Sequence, residues 1–138
     1  MKKILLLVIL VAETLVASNS KWEGEILQEM LLSMSHNRSV KIYSQDKSLK
    51  AALVAIPFVH SVQKCTKCDF VLAKKGVDDL CQKPIIVFSY YNYLHTPTAV
   101  GVFFWQKGRP TIRFSQKRLK KFNIQVQGEL SKFVSKND

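Results

Sequence analysis

Val100-Gly-Val-Phe-Phe-Trp105-Gln-Lys-Gly-Arg-Pro110-Thr-Ile-Arg-Phe114 is the stretch whose reading decides the fold. Two apolar runs, Val100 to Trp105 and Thr111 to Phe114, flank Gln106-Lys107-Gly108-Arg109-Pro110. β-Branched and aromatic runs parted by a glycine-containing turn predict a β-hairpin, here with a loop of three to five residues. Gly108 supplies the positive φ that such a loop needs, and Pro110, lacking an N–H, belongs on an edge or at the first residue of a strand. Gly101, inside the first strand, predicts a bulge or a close backbone approach. In the second strand Ile112 and Phe114 share one face while Arg113 takes the other, so one face is expected to be buried and the other basic and wet.

Upstream of the hairpin, apolar patterning alternates between strand and helix. Ile26, Leu27, Met30, Leu31 and Met34 repeat at helical spacing across Glu23 to Ser35. Val40 to Tyr43 predicts a strand, after which Ser44 or Asp46 caps a helix carrying Leu49, Ala52, Leu53 and Ile56 that Pro57 stops. Phe58 to Val62 and Asp69 to Ala73 read as strands, Lys74 to Lys83 as a loop or short helix, and Pro84 to Phe88 as a strand covered on both faces. Downstream, Ser115 caps a lysine-rich helix with Leu119 and Phe122 on one face, and Leu130, Phe133 and Val134 predict a closing helix from about Gln127. Strands alternating with helices give the fold class: α/β, a single three-layer domain with a mixed, mainly parallel sheet flanked by helices and a C-terminal β-hairpin.

Met1-Lys2-Lys3, an apolar run from Ile4 to Ala12, and the small residues Ala17, Ser18 and Ser20 read as a secretory signal peptide. Cleavage after Ala17 gives a leader of residues 1–17 and a domain of residues 18–138; cleavage after Ser20 is the alternative. Glu13 keeps the uninterrupted run below the roughly 20 apolar residues of a membrane span. The expected location is the periplasm, with no stable membrane insertion once the leader is removed. Loss of Lys2, Lys3 and Glu13 lowers the net charge only from +11 to +10. In an exported chain so basic a balance points away from nucleic acid and towards acidic partners, anionic ligands or the membrane surface. The excess is concentrated late: nine Lys and Arg residues from Lys107 onward stand against Glu129 and Asp138 alone.

Cys65, Cys68 and Cys81 are the cysteines. In an oxidising compartment two of three pair. Cys65 with Cys81 is the favoured bridge, closing a loop of about 16 residues for about 3 kcal/mol in the chain-entropy picture; Cys68 with Cys81 is its rival. Cys65-x-x-Cys68 has the spacing of a redox motif, but Cys68-Asp-Phe-Val-Leu72 looks like the entry to a strand, where no helix N-terminus lowers a thiol pKa. His36, His60 and His95 are scattered without metal-ligand spacing, and the chain carries no phosphate loop, nucleophile elbow or His-Glu-x-x-His. No catalytic, cofactor-binding or metal-ligating residue is expected. The carboxyl end of the Pro84 to Phe88 strand is where an open α/β sheet forms a crevice, which places Tyr90 and Tyr91 at its lip.

Gly101-Val-Phe-Phe-Trp-Gln-Lys-Gly108-Arg109-Pro-Thr-Ile112-Arg113-Phe114, followed by a helix, Ile124 and Leu130-Ser-Lys-Phe-Val134, resembles the closing segment of the YfiR-like family of periplasmic proteins. The likeness covers about 90 residues loosely and 35 well. It implies a periplasmic α/β domain with disulfides and a non-enzymatic regulator. The best-known members restrain a membrane-bound diguanylate cyclase through its periplasmic sensor region. Gly101, Gly108, Arg109 and Phe114 match the family pattern; Lys117 stands where the family usually carries asparagine. Two function classes follow. The first is an interaction module whose Lys107, Arg109, Arg113 and Lys117 engage an acidic protein in the envelope. The second is a binding module in which Tyr90, Tyr91 and Arg109 hold an anionic or aromatic small molecule.

Overall fold

A computed structural model describes residues 23–36, 38–75 and 81–138. The expected leader, residues 1–17, lies outside the described residues. Seven strands form one sheet in the order β2-β1-β3-β4-β5-β6-β7. They are β1 (Val40–Tyr43), β2 (Val59–Ser61), β3 (Phe70–Ala73), β4 (Ile85–Val87), β5 (Ala99–Gln106), β6 (Arg109–Ser115) and β7 (Val134–Ser135). Every neighbouring pair is parallel except β5 and β6. The sheet is therefore mixed and mainly parallel, as the alternation of patterns predicts.

Helix α1 covers residues 23–35; α2 (Lys47–Val54), α3 (Tyr90–His95) and α4 (Gln116–Lys121) follow. Asp46, rather than Ser44, caps α2 by accepting the Leu49 N–H, and Ser115 caps α4 by accepting that of Arg118. The Ser48 hydroxyl and the Leu49 N–H hold the Asp46 carboxyl below its ordinary range. Leu27, Met30, Leu31 and Met34 of α1 join Leu49 and Leu53 of α2 and Leu119 of α4 over one face of the sheet, against Val40, Ile42, Phe70, Leu72, Ile86, Phe103 and Phe114. On the other face Tyr93 of α3 packs with Ile85, Val87, Ala99 and Val102. The stretch read from sequence as a crevice lip is thus a capped helical turn that covers this second face, with the Ser89 hydroxyl accepting the Asn92 N–H.

The hairpin is more sharply built than its sequence implied. Gln106 pairs with Arg109, so the loop is two residues, Lys107 and Gly108, and not three to five. Both have positive φ, 51° and 75°, the backbone that a right-twisted two-residue hairpin requires. The pair closing such a turn exchanges hydrogen bonds, so the next pair, Trp105 with Pro110, is a non-hydrogen-bonded one and the missing proline N–H falls on the outer edge. Gly101 meets both expectations. Ile85 pairs with Ala99 but Ile86 with Gly101, leaving Val100 as the extra residue of a bulge. A Cβ on Gly101 would sit 3.1 Å from the ring of Phe114, which is fully buried.

The closing helix is a correction. Gly128–Phe133 is a 3₁₀ segment, and Val134–Ser135 adds β7 parallel to β6. Gly128 turns the chain with φ 77°. Leu130 and Val134 then reach the core while Phe133 stays 36% exposed, so the apparent helical stripe is a turn followed by an edge strand.

Cys65 and Cys81 form the disulfide, with Cα atoms 5.9 Å apart. Cys68 is free and buried. Its thiol donates to the Cys65 carbonyl and its pKa is pushed up, chiefly by burial. A redox nucleophile needs the opposite shift. Among the described residues no helix is long and apolar enough to cross a membrane.

Candidate functional site

β4 pairs with β5 only as far as Val102, and β7 with β6 only at Phe114 and Ser115. Residues 103–106 and 109–112 therefore continue as a two-stranded ribbon without a strand on either side, for about 10 Å at the usual rise per residue. This arm leaves the sheet at the carboxyl ends of β1, β3 and β4. Cross-strand pairing sorts its side chains onto two faces. Phe103, Trp105, Pro110 and Ile112 share one; Phe104, Gln106, Arg109, Thr111 and Arg113 share the other.

The first face starts in the core and ends in solvent. Phe103 is buried, meets Phe88 edge-on at 6.4 Å and meets Trp105 at 5.7 Å. Trp105 is itself 40% exposed. At the tip Lys107 and Arg109 are exposed and, among the described residues, form no ion pair.

The second face is closed by contacts. The Tyr90 ring lies 5.8 Å from that of Phe104. Arg113 lies over the same ring at 5.7 Å and donates to the Tyr90 hydroxyl. Its Nε is 3.8 Å from the Asp138 carboxylate, so Arg113 is less free than alternation alone suggested. Deeper in, the Tyr93 hydroxyl donates to Asp138 at 2.9 Å. Burial first, and the Asp138 carboxylate second, push the Tyr93 pKa up. Ser115 donates to the Asp138 main-chain carbonyl. Arg118 lies 5.0 Å over the Tyr93 ring and donates to the carbonyls of Tyr93 and Ala99 at 2.6 and 2.9 Å. A charge-assisted donor to two carbonyls ties α4 to α3 and to the start of β5.

The sequence-derived site residues thus separate into three groups. Lys107 and Arg109 stand together at the arm's tip. Arg113 and Tyr90 touch each other, whereas among the described residues no hydrogen bond or cation–ring contact joins Tyr90 or Tyr91 to Arg109; Tyr91 instead stacks on His95 at 4.1 Å. Lys117 is exposed on α4, at the far end of β6, about 20 Å from the tip by strand rise. Gly101, Gly108 and Phe114 act architecturally, as bulge, turn and core anchor. Sequence reasoning missed Arg118, which it counted only among the basic residues. Nothing in the local pattern separates Arg118 from Lys117 or Lys120.

Among the described residues no group of three His, Cys, Asp or Glu side chains is placed to hold a metal ion. No family model, curated protein or solved structure matches this chain.

Proposed function

We propose that this protein is a non-enzymatic interaction module of the periplasm that docks on an acidic protein partner through the tip of its hairpin arm. The arm itself carries the reading. Tryptophan and arginine are the residue types that dominate binding energy at interfaces. Here Trp105 on one face and Arg109 on the other flank the turn that carries Lys107, at a point of the ribbon that the core does not use. The basic balance of the chain favours an acidic counterpart by steering and by contact. The free main-chain groups along both ribbon edges add a second mode of attachment, alignment of a partner strand. The likeness to the YfiR-like family would make that partner a membrane-bound signalling protein such as a diguanylate cyclase.

Cross-linking in the native periplasm tests the reading, with a photoreactive residue in place of Gln106 and a Lys107→Glu/Arg109→Glu variant beside it. Capture of one membrane signalling protein, lost in the charge-reversed variant, is the expected result. Equal capture by both forms removes the arm from the interface. Capture that depends on Lys117 and not on Arg109 would move the docking surface to α4.

A further inference from the structure

At the opposite end of the sheet from the arm lies an open cleft of about 610 Å³, between the end of α1, the segment after α4 and the amino ends of β1, β3 and β4. Its size falls in the range of small-molecule sites. Met34, Phe70, Pro84, Phe122 and Ile124 make an apolar wall. Arg38 and Lys83 stand beside it, and among the described residues neither forms an ion pair. His36, Cys68 and Asp69 are the other titratable groups lining it. The Asp69 carboxylate accepts the Lys41 N–H at 2.8 Å and, among the described residues, pairs with neither cation.

The backbone sets this cleft apart. Among the described residues four that are not glycine have positive φ, and three of them line it: His36 at 55°, Gln82 at 52° and Asn123 at 56°. His36 and Asn123 follow the ends of α1 and α4, where glycine is the least strained choice and asparagine the next. A histidine at the end of α1 and a glutamine in the segment before β4 are costlier at positive φ than glycine, and strained positions of this kind cluster at ligand sites. At His36 and Gln82 the chain keeps polar side chains at the mouth where turn geometry alone would favour glycine.

We infer that this cleft is a binding site for a small organic anion with an apolar body, its acid group held by Arg38 and Lys83 and its body laid against Phe70, Phe122 and Ile124. The inference is independent of the proposed function, because the cleft and the arm occupy opposite ends of the sheet.

The probe is 8-anilinonaphthalene-1-sulfonate, a sulfonate on an aromatic body, titrated into the folded protein and read by fluorescence and by backbone amide shifts. Saturable one-to-one binding is expected, with shifts confined to Ser39, Gln82, Lys83, Asn123 and their neighbours. Inorganic phosphate, the anion without the body, should bind at least tenfold more weakly. Arg38→Glu/Lys83→Glu should weaken the probe at least tenfold, and Lys107→Glu/Arg109→Glu should leave it unchanged. A dispersed amide spectrum establishes that each variant is folded. Lys83→Ala, the milder change, should still weaken binding several-fold. Absence of saturable binding to the unaltered protein overturns the inference. So do shifts centred on the arm, or equal affinity in folded cleft variants.

Discussion

The two halves of the β5–β6 hairpin are made from one sequence pattern and serve opposite ends. At the base, Gly101, Val102 and Phe114 are buried, and strands β4 and β7 flank the pair. At the tip, Trp105 to Pro110 are exposed and have no neighbouring strand. Hydrophobicity does not distinguish them, since each half carries a large aromatic ring, Phe114 at the base and Trp105 at the tip. What distinguishes them is where the flanking strands stop. A strand pair that outruns its sheet turns core-forming residues into a surface without any change in composition.

The sharpest way to break this comparison is at the base. Phe114→Ala removes a ring with no exposed surface from the meeting point of α1 and β5, and should cost about 4 kcal/mol, read from the urea midpoint. Gly101→Val pushes a branched side chain against that ring and should cost about 2 kcal/mol. Little change for Gly101→Val would mean that the bulge relaxes, and that the base is less tightly built than its geometry implies.

The Tyr93 cluster adds a pH signature. The folded state holds the Tyr93 proton more firmly than the unfolded chain does. Its contribution is therefore complete below the ordinary tyrosine value of about 10 and is lost as pH rises above it, with a slope of about 1.4 kcal/mol per pH unit for one proton. Unfolding followed between pH 9 and 11 should show the decline, and Tyr93→Phe should remove it.

Effects at the tip should be small. Lys107 occupies a left-handed turn position that asparagine takes more readily, so Lys107→Asn should stabilise the protein by about 0.5 kcal/mol. Arg109→Ala should change stability by less than about 0.5 kcal/mol while weakening partner capture. A large loss of stability from Arg109→Ala would show that the arm packs against something, and the contrast between base and tip would fail.

Local patterns carried most of the fold. The β-branched run Ile85-Ile86-Val87 and the cap at Ser115 act through their immediate neighbours, and a glycine inside an apolar strand signals a bulge or close approach by its type alone, so the chain reveals all three. The 3₁₀ turn and β7 were hidden because Leu130, Phe133 and Val134 have helical spacing, and only the vacant edge of β6 recruits Val134–Ser135 as a strand. Tyr90 and Tyr91 read as a crevice lip for the same kind of reason: the short helix Tyr90–His95 is fixed by docking Tyr93 on the second face of the sheet.

The candidate surface was half legible. The sequence named Lys107, Arg109, Arg113 and Lys117 as one basic group, because it sees charge but not length along a strand. The structure divides that group between the two ends of β6 and takes Arg113 into contact with Tyr90 and Asp138. The cleft left no trace in any motif. Arg38, Lys83 and Asn123 lie far apart in the chain and meet only because the ends of α1, α4 and three strands converge.

By itself, then, the sequence determined the alternation of elements, the hairpin, the helix caps and the excess of positive charge, since propensity, capping and net charge are properties of neighbouring residues. Tertiary structure alone decided which strands stop short, which arginine is locked by carbonyls and where a cleft opens. Those depend on long-range packing, in which each residue's surroundings are set by segments that the local pattern does not contain.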